Sequence, residues 1–360
     1  MQRELNTIYN NFDSTYTAGM AFRQIAILLL LLLLPPATGY GWGFFAHQCI
    51  NRLAVFTLPP EMVGFYKKHI RYITENAVNP DRRRYAVEGE APRHYIDIDV
   101  YGDSALYLMP RFWQEAVDRY GEDTLMAHGI VPWHINLMKF QLTQAFKERD
   151  LDRILRLSAD IGHYIADACV PLHTTRNYNG QLTGQRGIHA FWETRLPEML
   201  SDDYDFFVGQ AQYIEQPQRK AWELVMGAHM ALDSVLRLER ELTQEFSEEK
   251  KYSYEVRGNV TTRVYSRAFS EAYHRRLNGQ VERQMRLAVQ TVSSFWYTAW
   301  VDAGQPDLRL LASDISEEEK QRLKLEEKEY EQGPHKPREE GEARVERQPL
   351  YLGRNEQTQE

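Results

Sequence analysis

The sequence predicts an all-α protein, a bundle of long helices joined by irregular loops. Two observations carry this prediction. Apolar residues recur at steps of three and four through four long segments, the spacing of one helix face. Alternating apolar and polar runs are nearly absent; the best, "YIDIDV" at 95–100, is only six residues long. With 360 residues, 43% of them hydrophobic, the chain can bury a sizeable core.

The elements follow in chain order. "FRQIAILLLLLLLPPATGYG" reads as an export signal: Arg23 leads, Ile25 to Leu34 is apolar, and Pro35 and Pro36 break the run. Small residues then allow cleavage after Gly39 or after Gly41, so residues 1–41 are set aside and an exported protein is expected. The polar stretch before Met20 is long for such a leader, which makes Met20 a reasonable start. "INLMKFQLTQAF" places Ile135, Met138, Leu142 and Phe146 on one face. "LDRILRLSADIGHYIAD" does the same with Leu151, Ile154, Leu155, Ser158, Gly162 and Ile165; Asp150 caps its start and Pro171 stops it. Trp222, Val225, Met226, His229 and Leu236 mark a third helix, and Val281, Met285, Ala288, Val289, Val292 and Trp296 a fourth. The helical domain is therefore expected over 42–311. Beyond it, 312–360 is charged and poor in apolar residues, so a disordered tail is expected there, part of it as a solvated helix.

The formal net charge of −8 argues against a protein that coats nucleic acid. Two cysteines, Cys49 and Cys169, form no disulfide framework; one bridge and two free thiols both remain open.

Chemistry concentrates in "IGHYIADACVPLHTTRNYNGQLTGQRGIHAFWE", residues 161–193. Three of the chain's 11 histidines sit here, with two carboxylates at helical spacing: His163 with Asp167, and His189 with Glu193. Residues four apart on a helix share a face. His173 lies between the pairs. Imidazole and carboxylate suit zinc, and five such donors are too many for one catalytic ion. Further donors lie upstream: His47 in "GWGFFAHQ", and Asp81 and His94 in "NPDRRRYAVEGEAPRHYIDID".

The ordered set W-x4-H, P-D, R-H-Y-I-D, H-x3-D, P-L-H and H-x3-E resembles the zinc-dependent phospholipases C, and equally their relatives, the zinc-dependent single-strand nucleases. The likeness covers roughly 42–300. It implies an all-α fold around three zinc ions. Asp81, His94, His163 and Asp167 would hold one ion, and His173, His189 and Glu193 a second. His47 and the amine and carbonyl of Trp42 would hold the third, with Asp167 as a bridge. That last site requires Trp42 to begin the mature chain. The implied reaction is hydrolysis of a phosphodiester: zinc brings bound water toward a pKa of ~7, and a metal-bridged hydroxide attacks phosphorus. Asp81 would ligate zinc or orient that water, and Arg84 would steady the phosphate.

Two features point to different substrates. Glu193 matches the phospholipase branch, where the nucleases carry Asp. Asp81 and Arg84, at D-x-x-R, match the nuclease branch. The acidic charge leans toward a phospholipid, with contact at a membrane surface; single-stranded nucleic acid is the alternative. A third reading is an exported metal-binding protein without turnover.

Overall fold

The computed structural model describes residues 43–84, 86–257, 260–311 and 314–332. The region expected as an export signal, Trp42, Tyr85 and residues 333–360 lie outside the described residues. Two compact units emerge, one spanning 246–269 and the other holding the remaining described residues.

The larger unit is all-α, as the periodicity predicts. Its principal helices are α1 (Phe44–Ala54), α2 (Asn79–Arg83), α3 (Val131–Glu148), α4 (Leu151–Ala168), α5 (Pro217–Thr243), α6 (Gln280–Asp302) and α7 (Glu317–Gln332). Each of the four periodic segments became a long helix. Asp150 caps α4 as expected, its carboxylate accepting from the Arg153 amide at 3.0 Å. Pro132 and Pro217 sit in the first turn of α3 and α5, where a missing amide hydrogen costs nothing.

Helix α4 is the axis of the unit. It packs against α1, α3, α5 and α6, and from Leu157 to Ala168 every residue is buried. Trp296 of α6 stacks on Tyr66 at 4.8 Å and donates its indole N–H to the Ser158 carbonyl of α4 at 3.0 Å. The same serine's hydroxyl lies 2.9 Å from the Tyr66 hydroxyl. A second aromatic cluster joins Trp133 of α3 to Trp222 of α5, edge to face at 5.1 Å. Gly162 sets how near α1 comes to α4: a Cβ there would stand 2.0 Å from the Asn51 Oδ1. The close approach lets Asn51 donate to the Ala159 carbonyl at 3.0 Å.

Two differences from the sequence reading, the hairpin and the docked tail helix, have local causes. The short alternating run "YIDIDV" forms no strand, in keeping with the all-α reading. Residues Ala91–His94 and Ile98–Val100 form single 3-10 turns, because the backbone between them bonds instead to the segment around His173: the Ile96 amide donates to the His173 carbonyl at 2.9 Å. The smaller unit contains an antiparallel hairpin, β1 (Tyr252–Arg257) with β2 (Val260–Tyr265), in register Tyr252–Tyr265 and Tyr254–Arg263. Its signal is "YSYEVRGNVTTRVY", two aromatic and β-branched runs flanking Gly-Asn. The charged stretch after Leu311, expected as disordered or solvated, forms the docked helix α7 over Glu317–Gln332. Ion pairs rather than apolar burial hold it: Glu319, 3% exposed, accepts from the Tyr72 hydroxyl and faces Arg156 at 3.4 Å. Cys49 and Cys169 are both free thiols. No helix among the described residues is long and apolar enough to cross a membrane.

Candidate metal centre

Six of the expected donors come from five separate segments and meet along the C-terminal half of α4. His163 and Asp167 project from that helix, one turn apart and essentially fully buried. Helix α1 brings His47, α2 brings Asp81, and the turn Ala91–His94 brings His94. His173 follows α4 in the 3-10 turn Pro171–Thr174. Each is within reach of another donor of the set.

The first cluster contains four ligand atoms. His163 Nε2 stands 3.0 Å from His94 Nδ1, 3.2 Å from Asp167 Oδ2 and 3.6 Å from Asp81 Oδ1. His94 Nδ1 is 2.9 Å from Asp167 Oδ2 and 3.6 Å from Asp81 Oδ1. Donors of a tetrahedral ion with bonds of ~2.0–2.1 Å stand about 3.3 Å apart. These five separations are close to the edges of such a tetrahedron.

The second cluster has three donors: His173 Nε2, His189 Nε2 and Glu193 Oε2, separated by 3.1, 3.2 and 3.0 Å. Gly187, with φ +94°, turns the chain into the short helix Ile188–Ala190, which continues as a π-helical turn over Phe191–Arg195. The His189–Glu193 pair therefore meets across a change of helix type, a local feature often found at functional sites. Two of its three side chains are part-exposed, His189 at 22% and Glu193 at 18%, where in the first set only Asp81 is, at 26%. His47 forms the third grouping with Asp167 and His163, its Nε2 3.4 Å from Asp167 Oδ1. Asp167 thus gives Oδ2 to the first cluster and Oδ1 to His47, as a bridging carboxylate would. Trp42, the other expected partner of His47, lies outside the described residues.

Proton arithmetic favours a cation in these clusters. A carbonyl only accepts, so the Nδ1–H of His163 donates to Ala77 O at 2.9 Å, and the Nδ1–H of His173 donates to His94 O at 2.6 Å. As neutral rings, both then present a bare Nε2 lone pair to their cluster. The first cluster then gathers two carboxylates, the His163 Nε2 and the His94 Nδ1, atoms whose crowded lone pairs need protons or a metal cation between them. The fields agree. Burial alone would lower His163, yet Asp167 and Asp81 outweigh it and hold the ring up at about 9. Burial also opposes ionisation of Asp167, but His163 and His173 keep its carboxyl well below the usual range. His47, desolvated and beside His163, is lowered to about 4. The buried groups can hold metal ions, and the donor set fits them.

Arg84 follows α2 three residues after Asp81 and is partly exposed; its guanidinium has no hydrogen bond or ion pair among the described residues. Its neighbour Arg83 is committed, 2.9 Å from Asp160 and 3.8 Å from Glu90. Sequence reading missed Glu90. It is 1% exposed, accepts from the Tyr164 hydroxyl and from Arg93 at 2.7 Å, and stands 3.8 Å from His94 Nε2. Its position four residues before His94 was the available signal. A small apolar cavity of about 30 Å³ adjoins His47 and Glu193, lined by Ile50, Cys169, Trp192 and Met285. His134 lies outside the set and packs edge-on against Tyr164 at 4.5 Å.

No protein-family model matches this chain, and no curated protein matches it.

Proposed function

We propose that this protein is an exported zinc-dependent phosphodiester hydrolase of the phospholipase C type, holding three zinc ions. One observation carries the reading: a set of four donors stands beside a second set of only three, and Asp167 reaches from the first set to His47. Structural zinc sites close with four protein ligands, often thiolates; catalytic ones keep a position open. Here the donors are nitrogen and oxygen only, and the His173–His189–Glu193 set has three. When bound, zinc supplies Lewis acidity and a water that is acidic near neutral pH.

The chain's own residues do the rest. His163 and His173, fixed through Nδ1 by backbone carbonyls, present Nε2 without rotation. Asp81, the most exposed donor of the first set at 26%, accepts a proton from the attacking water or orients it. Arg84 offers paired N–H donors to a non-bridging phosphate oxygen, charge stabilisation that guanidinium geometry suits. Tyr164, Glu90 and Arg83 keep the ligand segments in place from behind.

Glu193 and the acidic net charge favour a phospholipid substrate at a membrane surface. The Asp81–Arg84 spacing favours the second reading, a single-strand nuclease. Incubating zinc-loaded protein with phosphatidylcholine vesicles and with single-stranded DNA, with and without EDTA, separates them. Chelator-sensitive release of phosphorylated head group with intact DNA is expected. Shortened DNA with intact lipid makes the protein a nuclease, and no cleavage of either supports a metal-binding protein without turnover.

A further inference from the structure

Helix α7 contributes no donor to the metal clusters, yet it reaches two of the segments that do. Glu326 Oε1 stands 3.8 Å from Arg83 Nη1, and Arg322 pairs with the same Glu326. Tyr330 packs against the Phe44 ring at 6.1 Å, and the Arg82 guanidinium sits over that same ring at 5.7 Å. Phe44 opens α1, three residues before His47. Arg82 and Arg83 end α2, directly after Asp81.

Arg83 is the junction. Its side chain is 14% exposed and faces three carboxylates from three segments: Asp160 of α4, Glu90 before His94, and Glu326 of α7. The first two touch the support of different ligands. Asp160 precedes His163 by about one turn on α4. Glu90 stands against His94. Arg83 itself follows Asp81 by two residues. From Glu326 the network runs outward through Arg322 to Glu319, which meets Tyr72 and Arg156. Charges alternate along it, so each cation is shared and no member is left alone in a part-buried place. Because Glu319 is the only buried residue of α7, apolar burial gives the helix little hold on the domain. Through Glu326 and Tyr330 its contacts reach the support of the metal centre.

We infer that α7 is a positioning clamp for the metal centre: through Glu326 on Arg83 and Tyr330 on Phe44, it holds the Asp81 and His47 segments where their donors converge. The inference rests on the zinc reading above. Removing supports of ligand residues commonly weakens metal affinity about 10–100-fold, and a support acting one residue removed belongs at the lower end of that range.

The test follows zinc transfer from full-length, zinc-loaded protein to a chromogenic chelator. Glu326→Gln and Tyr330→Ala, singly and together, are compared with Glu327→Gln on the exposed side of α7. The double variant is expected to release its first zinc about 10-fold faster, with Glu327→Gln unchanged. In an Asp81→Asn background the Glu326→Gln effect should vanish, since the residue through which it acts is already gone. Unchanged release in the double variant overturns the inference, as does an equal acceleration with and without Asp81, which would mark general loosening. If the parent protein holds no zinc at all, the metal reading itself fails and the clamp with it.

Discussion

His163 shows most directly what a single residue contributes. Its Nδ1–H is fixed by the Ala77 carbonyl, and two carboxylates favour positive charge at its Nε2. In chelated protein this ring titrates near 9, above the ordinary value of 6.5. A raised folded-state pKa means the proton stabilises the fold fully below pH 6.5, and that contribution is lost as pH climbs through 9. The melting temperature of chelated protein should therefore fall across that window, and His163→Gln should remove the slope. Zinc competes for the same lone pair, so zinc affinity at fixed free metal should rise with pH up to about 9 and then level; competition titrations at several pH values would measure it. Asp81 and Arg84 test the chemistry. Asp81→Asn should abolish turnover while the protein stays folded by circular dichroism; if only the melting temperature falls, the centre is structural. Arg84→Ala should lower kcat about 10²–10³-fold, the usual effect of losing one donor to transition-state charge, and leave zinc content unchanged by metal analysis.

At the scale of elements, α4 carries both the core and two of the candidate ligands, so its packing sets the site. Gly162 is the contact that permits this. Gly162→Ala would force Asn51 away from α4, breaking its bond to Ala159. Overpacking of this kind costs about 1–3 kcal/mol, measurable as a shift in the urea midpoint. Helical propensity alone predicts the opposite sign, since alanine is favoured over glycine in a helix by roughly 1 kcal/mol. A stabilised variant would show that α1 can move away without loss. The π-helical turn at Phe191–Arg195 makes a related point. The i,i+4 spacing foretold that His189 and Glu193 would meet, while the turn that brings them together is anchored by Phe191, stacked on Tyr273 at 5.0 Å.

For the whole molecule, the zinc reading couples metal binding to stability, because carboxylates clustered in a buried place favour a cation between them. An ion bound only by the folded state stabilises it by about 4 kcal/mol when free metal exceeds Kd about a thousandfold. EDTA should lower the melting temperature by several degrees, and zinc should restore it; an unchanged melt would mean that the donor sets stand without ions. Reductant, by contrast, should leave the melt unchanged, because both thiols are free. Burial raises Cys169 to about 12, so thiol reagents should label it only on unfolding.

The sequence by itself determined the helical class and the four long helices, and it marked the candidate donors, because helix periodicity and the i,i+4 rule act within a few residues. It also marked His47, Asp81 and His94, although their partners lie far along the chain. Only the tertiary structure decided which atoms converge. That His94 uses Nδ1, that Asp167 divides its oxygens between clusters, and that Glu90 and Arg83 stand behind the ligands depend on contacts across roughly 70 to 80 residues of chain. The same holds for the seating of "YIDIDV" against the His173 segment, and for α7. Its composition is that of a solvated tail, and it is ordered by buried and part-buried ion pairs with Arg83 and Arg156. Such pairs depend on charges brought together by the fold of other segments, which no local pattern records.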